Sequence, residues 1–370
     1  MTAQLSTRAL GRATLARQFL LDRTDAPLAE VVERLAGLQA QAPIPPYWAL
    51  WTRIRRFDPA TLSEAIAARD VVRIASLRGT VFAMTVADAA FFRGFVGSLY
   101  DAEASGGSGP HAAGLAGIGK QQLAAVAREL LSDGPVAASS LKDGLAERFP
   151  DRDPVDLLYG VRAALPLVQT PPRGLWGRPG GLTYCELRDW TGVDVHSRPA
   201  AEIAVRRYLA AFGPASPADM QAWCGLTGLR EVFERMRDDL VVLRTESGGE
   251  VFDLPDAPRP GEDVAAPVRI LAPFDNLILS HRDRTRLIDP QTRRYLMSRN
   301  GTVPATVLVG GRVAGVVNVE SATKARAVAT VGVFGRMRVR DRDRVAAEAR
   351  RLLRFRFPDA TDRDVRFTEI

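Results

Sequence analysis

Two stretches of the chain repeat one pattern of apolar and polar positions. QQLAAVARELLSDGPV and AAEIAVRRYLAAFGPA each carry apolar residues every three to four positions, the stripe of an amphipathic helix. Both end in Gly-Pro, at Gly134-Pro135 and Gly213-Pro214. Glycine suits a left-handed C-cap and proline cannot continue a helix, so both helices are expected to stop there. A second helix is predicted to begin near Ala138 in one copy and near Ser216-Pro217 in the other, and a third over 154–164 and 227–236. Each copy then closes with two short β-like runs about a glycine-rich turn: 167–170 and 182–187 around PPRGLWGRPGG, 240–244 and 250–254 around TESGG. Helix, helix, helix and hairpin is the order of a winged helix-turn-helix.

The N-terminus reads as a third, divergent copy. Helical periodicity runs over 5–21 and 27–38, and a helix resumes over 47–57 after Pro43, Pro45 and Pro46. Another helix follows near 60–68. VVRIASLRGTVFAMT then reads as two strands about Arg78-Gly79, and DAEASGGSGPHAAG (101–114) as a polar linker. The last hundred residues change character. VRILAPFDNLILS, TVPATVLVGGRVAGVVNVE and ARAVATVGVF are β-rich, the second folding into a hairpin at Gly310-Gly311, and an arginine-studded helix follows over 341–355. The expected architecture is α+β: winged-helix units at 1–100, 115–190 and 196–258 in a C-shaped arrangement, then a barrel-like β domain at 262–370.

Composition narrows the chemistry. The 370 residues are 46% hydrophobic and 25% charged, ordinary for a globular protein, and no apolar run approaches the length of a spanning helix. Without a secretory leader, a cytoplasmic location is expected. The only cysteines, Cys185 and Cys224, form no disulfide framework, and His111, His196 and His281 stand apart, so no metal site and no cofactor are expected. A net charge of +7 favours an acidic partner, nucleic acid first. Lysine supplies three of the 50 basic residues (Lys120, Lys142, Lys324) and arginine the other 47, a ratio that fits a GC-rich coding sequence. The Gly114–Lys120 spacing imitates a phosphate loop but lacks its Ser or Thr and a preceding strand. Ser321-Ala-Thr-Lys324 is too short a pattern to carry acyl-transfer chemistry.

The informative stretch is LAGLQAQAPIPPYWALW, 35–51. On a helix Gln39 and Gln41 would point about 200° apart. Ala42 precedes Pro43, which favours extended geometry and ends the preceding helix near Gln39. An extended turn would let both amides address one site; a polar helix end whose amides cap backbone groups is the other reading. Downstream, PFDNLILSHRDRTR sets His281, Arg282, Asp283, Arg284 and Arg286 after an apolar run, either as a basic loop for a nucleic-acid groove or as a surface loop with an internal Arg–Asp pair. Arg53, Arg55 and Arg56 follow the glutamines as candidate phosphate contacts. Arg336, Arg338, Arg340, Arg342 and Arg344 read as a solvated face.

These features together resemble the AlkZ/YcaQ class of bacterial DNA glycosylases: the Leu-Gln-Ala-Gln turn, the proline-rich run into Tyr47-Trp48, the tandem winged helices and APFDNLILSHRDR. The resemblance covers nearly the whole chain. It implies excision of N7-alkylated purines from double-stranded DNA, unhooking of interstrand crosslinks and, in the AlkZ branch, self-protection against azinomycin B. The family's catalytic Gln-apolar-Gln motif falls on Gln39, Ala40 and Gln41; the YcaQ branch has aspartate at the last position, so this chain sides with AlkZ. His281, Arg282, Arg284 and Arg286 then become DNA contacts beside Arg53, Arg55 and Arg56. A monomer is expected. The rival is a winged-helix transcription regulator, normally a dimer selective for one sequence. For an enzyme that unhooks a tethered base, the glutamines are expected at an open, solvent-accessible surface instead of a closed base-sized pocket.

Overall fold

The structure, a computed structural model, describes residues 4–105, 109, 111–296, 301–323 and 325–370. Part of the expected 101–114 linker and Lys324 of the Ser-x-x-Lys pattern lie outside them. The fold is α+β. In the middle of the chain, helices Lys120–Leu130, Ala138–Arg148 and Pro154–Ala164 lead into antiparallel strands Leu167–Gln169 and Thr183–Glu186. The second copy repeats the order with helices Ala201–Phe212, Pro217–Cys224 and Arg230–Arg235 and strands Val241–Thr245 and Glu250–Asp253.

The two Gly-Pro stops differ. Helix Lys120–Leu130 is already capped at Leu131, so Gly134, left-handed at φ 111°, lies in the turn beyond the cap instead of forming it. Gly213 has φ −67° and leaves its helix in extended conformation, correcting the C-cap expectation. Its lack of a side chain serves a close approach instead: a Cβ there would lie 2.4 Å from Nη1 of Arg17 and 2.7 Å from the Leu209 carbonyl oxygen. Arg17, on the first helix Thr7–Arg17, pairs through Nη1 and Nη2 with Asp253 at 2.7 and 2.8 Å, both side chains fully buried. That pair fastens the N-terminal helix to the last strand of the second copy.

The N-terminal segment supplies helices Thr7–Arg17, Leu28–Arg34, Pro45–Arg53 and Pro59–Ala67 and the hairpin Val71–Ala75/Val81–Thr85. Its second helix stops at Arg34, short of the expected 38, and Leu38–Gln39 is a strand. Two hairpins expected in separate units join in one six-stranded antiparallel sheet. Its order is Leu38–Gln39, Val81–Thr85, Val71–Ala75, Leu167–Gln169, Thr183–Glu186 and Val136–Ala137. The seam is the register Arg73↔Gln169 and Ile74↔Val168. Strands this short cannot stand as isolated hairpins, and fusing them covers edges that would otherwise be open.

The C-terminal segment departs furthest from its expected form. The strand expected across PFDNLILS runs only over Arg269–Leu271; Phe274 is left-handed at φ 59°, and Asn276–Leu279 is a short helix. The sheet is open, not a barrel: Arg269–Leu271, Thr306–Val309, Arg312–Thr323, Arg326–Val333 and Asp362–Glu369 lie in that order. The last strand runs parallel to Arg326–Val333, which demands a crossover, and helix Val339–Arg356 is that crossover. Its Val345, Ala349, Leu352 and Leu353 cover Ile270, Val307 and Val331, so apolar packing does what closure would have done. Trp48, Leu50 and Trp51 join the same core, while Ile74 and Phe82 join Tyr208, Phe212 and Trp223 in another. The N-terminal segment therefore sits between the second helix–hairpin copy and the C-terminal sheet.

Candidate active site

The glutamine segment owes its course to two consecutive left-handed residues. After Arg34 the chain caps itself through Ala36 N–H to the Glu33 carbonyl (2.9 Å) and Gly37 N–H to that of Val32 (3.0 Å), with φ 52° at Ala36 and 88° at Gly37. Glycine is required at 37, where a Cβ would come within 2.7 Å of the Met84 Cγ. The chain then turns into the strand, with Leu38 opposite Ala83 and Gln39 opposite Phe82, and Ala40 N–H extends the pairing to the Val81 carbonyl at 2.7 Å. The strand ends at Gln39, Ala40 is fully buried, and the chain bends at the exposed Gln41. The extended alternative is the one adopted. The exposure expected of both glutamines holds for Gln41 alone; Gln39 is only 8% exposed.

Each amide has a partner. Gln39 Oε1 accepts from Arg78 Nη2 at 3.0 Å, and Gln41 Oε1 lies 3.4 Å from Val81 N, a long contact that leaves it free to re-aim. Arg73, only 2% exposed, donates through Nη2 to the Ala40 carbonyl at 2.8 Å, while its Nε and Nη1 have no hydrogen-bond partner and no carboxylate pairs with it among the described residues. Burial, with Arg173 nearby, pushes its pKa down to about 10. The pocket beside Gln39, walled by Leu35, Gly37, Ala49 and Pro273, holds about 10 Å³, room for one water and not for a base.

The PFDN block closes on this segment from 239 residues away. Asn276 Nδ2 donates to the Gly37 carbonyl at 3.2 Å, and its Oδ1 accepts from Arg78 at 3.1 Å. Asp275 caps the short helix through Leu277 N–H (3.0 Å) and takes Arg53 by two bonds of 2.8 Å each. Trp48 and Thr52 both donate to the Ile270 carbonyl, at 3.1 and 2.8 Å, and so fix the Pro45–Arg53 helix to the first C-terminal strand. Arg78 sits at φ 55° on the turn Leu77–Gly79, with its other terminal nitrogen on the Trp223 carbonyl; burial, against Cys224 and with Arg284, pushes its pKa to about 10.

The expected DNA-binding residues divide. Arg55, Arg56 and Arg282 are exposed and Arg284 half-buried, with its Nε on the His281 carbonyl at 3.1 Å. Arg53, His281 and Arg286 are 1%, 1% and 4% exposed, which corrects their expected role as direct DNA contacts. Arg53 is spent on Asp275. Arg286 donates to the Pro214 carbonyl at 2.8 Å and to Thr14 Oγ1 at 3.2 Å. His281 Nε2 donates to the Phe212 carbonyl at 2.9 Å; burial, with Arg286 beside it, pushes its pKa down to about 3 and keeps the ring neutral. Asp219 accepts the backbone N–H groups of Arg282 and Asp283 at 3.0 and 3.1 Å, setting the loop that carries the exposed arginine. Sequence reasoning missed Arg73, Arg78 and Asp219 as site residues and used Asp275 and Asn276 only as family markers; an arginine beside a turn glycine was the available signal for Arg78. Among the described residues no three His, Cys, Asp or Glu side chains cluster to hold a metal ion, and no helix is long and apolar enough to cross a membrane.

Comparisons with known proteins bear on this arrangement. The family model "DNA glycosylase AlkZ-like" matches residues 32–355. A Streptomyces sahachiroi protein described as an interstrand DNA cross-link repair glycosylase is 26% identical over 331 residues, 81% of this chain and 84% of that protein. The solved Streptomyces sahachiroi DNA glycosylase AlkZ superposes with a TM-score of 0.78 over 99% of this chain and 100% of that chain, at 21% identity, a likeness of fold.

Proposed function

The chain belongs to the AlkZ-like DNA glycosylase family, and from that membership we propose that it hydrolyses the N-glycosidic bond of N7-alkylated purines in double-stranded DNA and unhooks interstrand crosslinks. Its relative's description as a cross-link repair glycosylase supports the second half. We read the helix–hairpin units as winged helices in a C-shaped array, divided as the sequence suggests, with Arg55, Arg56, Arg282 and Arg284 as its DNA contacts. The protein acts as a cytoplasmic monomer, and antibiotic self-resistance is its biological setting.

The observation that carries the reading is the Gln39-Ala40-Gln41 segment at the end of the Leu38–Gln39 strand, with Gln41 open to solvent and Gln39 held from behind. Alkylation at N7 makes the purine a cation, so it departs without a general acid; a glycosidase acting on ordinary sugars needs a carboxyl for that step. What remains is to set a water against C1′ while positive charge grows on the sugar. An amide is no base near neutral pH, but it orients a water through hydrogen bonds, and no titration limits it. A water-sized pocket beside Gln39 agrees with a base that stays in the duplex during attack. We read the reaction as simple hydrolysis, without a Schiff-base lyase step.

The test is incubation with a duplex carrying one N7-methylguanine, followed by alkali cleavage at abasic sites. Abasic sites formed by the wild type and lost in Gln39→Ala, Gln41→Ala establish the activity. Tight binding to one sequence with no base release would favour the regulator.

A further inference from the structure

Among the described residues Arg78 is the one charged group bonded to either glutamine, and every acceptor it contacts there is neutral: Gln39 Oε1, Asn276 Oδ1 and the Trp223 carbonyl. A guanidinium has only donors. Whatever amide faces it must present oxygen, so its position decides which end of each side chain points elsewhere. For Asn276 the outcome is visible: oxygen towards Arg78, nitrogen on the Gly37 carbonyl. Gln39 is sorted in the same way, its oxygen turned inward and its NH₂ left for the site. Gln41 has no such director; its oxygen rests on a 3.4 Å backbone contact.

Resting on the glycosylase reading above, we propose that Arg78 is a positioning residue that commits Gln39 to act as a hydrogen-bond donor towards an oxygen of the lesion nucleotide's sugar-phosphate, leaving Gln41 as the amide that accepts from the attacking water. The two glutamines are then not interchangeable. One donates to the sugar-phosphate as the bond breaks; the other accepts and aims the water. The left-handed backbone at Arg78 keeps the guanidinium on this task, because the turn from Leu77 to Gly79 carries it under the strand while Trp223 grips the far nitrogen.

Three variants test this: Arg78→Gly, which suits φ 55° without strain; Gln39→Glu, nearly isosteric but without a donor; and Gln39→Ala. Single-turnover release of N7-methylguanine is expected to slow about tenfold or more in each, with half-saturating enzyme concentration nearly unchanged. Arg78→Gly should add no further loss once Gln39 is alanine, because Arg78 acts through that amide. Free guanidinium should restore part of the rate to Arg78→Gly and none to Gln39→Ala. Multiplicative losses in the double variant, or wild-type rate in Gln39→Glu, would overturn the assignment. A second readout needs no DNA. Gln39→Glu should raise Tm when Arg78 is present, by forming an ion pair, and lower it in the Arg78→Gly background; the same shift in both backgrounds also overturns it. A wild type that releases no base therefore defeats the glycosylase reading, while the Tm pair still decides whether Arg78 directs residue 39.

Discussion

Removing the Asp275 carboxylate is the sharpest way to ask whether Arg53 belongs to the interior or to DNA. The two side chains are each 2% exposed and share two hydrogen bonds of 2.8 Å. Among the described residues, Asp275→Ala leaves the buried Arg53 guanidinium with only the Ala49 carbonyl (3.0 Å) and Gln18 Oε1 (3.2 Å), both neutral. A buried charge stripped of its partner costs about 3–5 kcal/mol. The lost cap on Leu277 N–H would by itself cost ~1 kcal/mol, but the same oxygen serves both, so the two losses do not simply add. Urea unfolding followed by far-UV circular dichroism should show the midpoint falling with the slope unchanged. An Arg53→Met, Asp275→Leu double variant should regain most of that stability, since apolar groups of similar volume replace buried ion pairs at little net cost. It should also bind DNA with the wild-type salt dependence. A loss under about 1 kcal/mol for Asp275→Ala, or a salt slope reduced by about 0.9 in the double variant, would mean that Arg53 reaches phosphate after all.

Other measurements reach the rest of the site. Arg282→Ala and Arg56→Ala should each lower the magnitude of the log–log salt slope of DNA binding by about 0.9 and weaken all sequences alike, as read by fluorescence anisotropy; an effect confined to one sequence would argue for base readout. Gln41→Ala should slow base release by at least about tenfold with little change in DNA affinity, because it removes an orienting contact and no charge. Stability should decline in acid through His281. The native ring, held neutral down to about pH 3, takes up no proton where the unfolded one does below 6.5, so the stabilisation present above 6.5 is lost as pH falls between those values. The slope is at most ~1.4 kcal/mol per pH unit. His281→Gln should flatten that part of the urea-midpoint profile, and an unchanged profile would contradict the assignment.

What the sequence disclosed depended on how local the determining forces were. Helices with their own stops were legible: Ala138–Arg148 and Pro154–Ala164 begin where expected, the latter with Asp153 capping and Pro154 in its first turn. The hairpins were legible as strands but not as one sheet, because the Arg73↔Gln169 seam pairs segments whose alternation says nothing of a partner. PFDNLILS read as a strand because its apolar run is ambiguous at that length. The decisive features were the left-handed Phe274 and the Asp275 cap, whose carboxylate also holds Arg53. Basic residues misled for a related reason. Arg53, Arg55 and Arg56 look alike in the chain, yet one faces a buried aspartate and two face solvent.

The same geometry joins two segments that lie far apart in the chain. A catalyst made of uncharged amides has no ion pair of its own to fix its orientation, and a free glutamine samples many rotamers. Orientation must come from outside the motif. Arg73 grips the Ala40 carbonyl from beneath the strand, Arg78 grips Gln39, and Asn276 ties Arg78 to the Gly37 carbonyl. Asp275, through Arg53, fixes the helix that follows the glutamines. On the proposed reading, the PFDN block supplies from the C-terminal segment the rigidity that Gln-Ala-Gln lacks. On this account, a glutamine motif without an Asp-Asn turn behind it would be a poorly oriented pair of surface amides, however similar its local sequence.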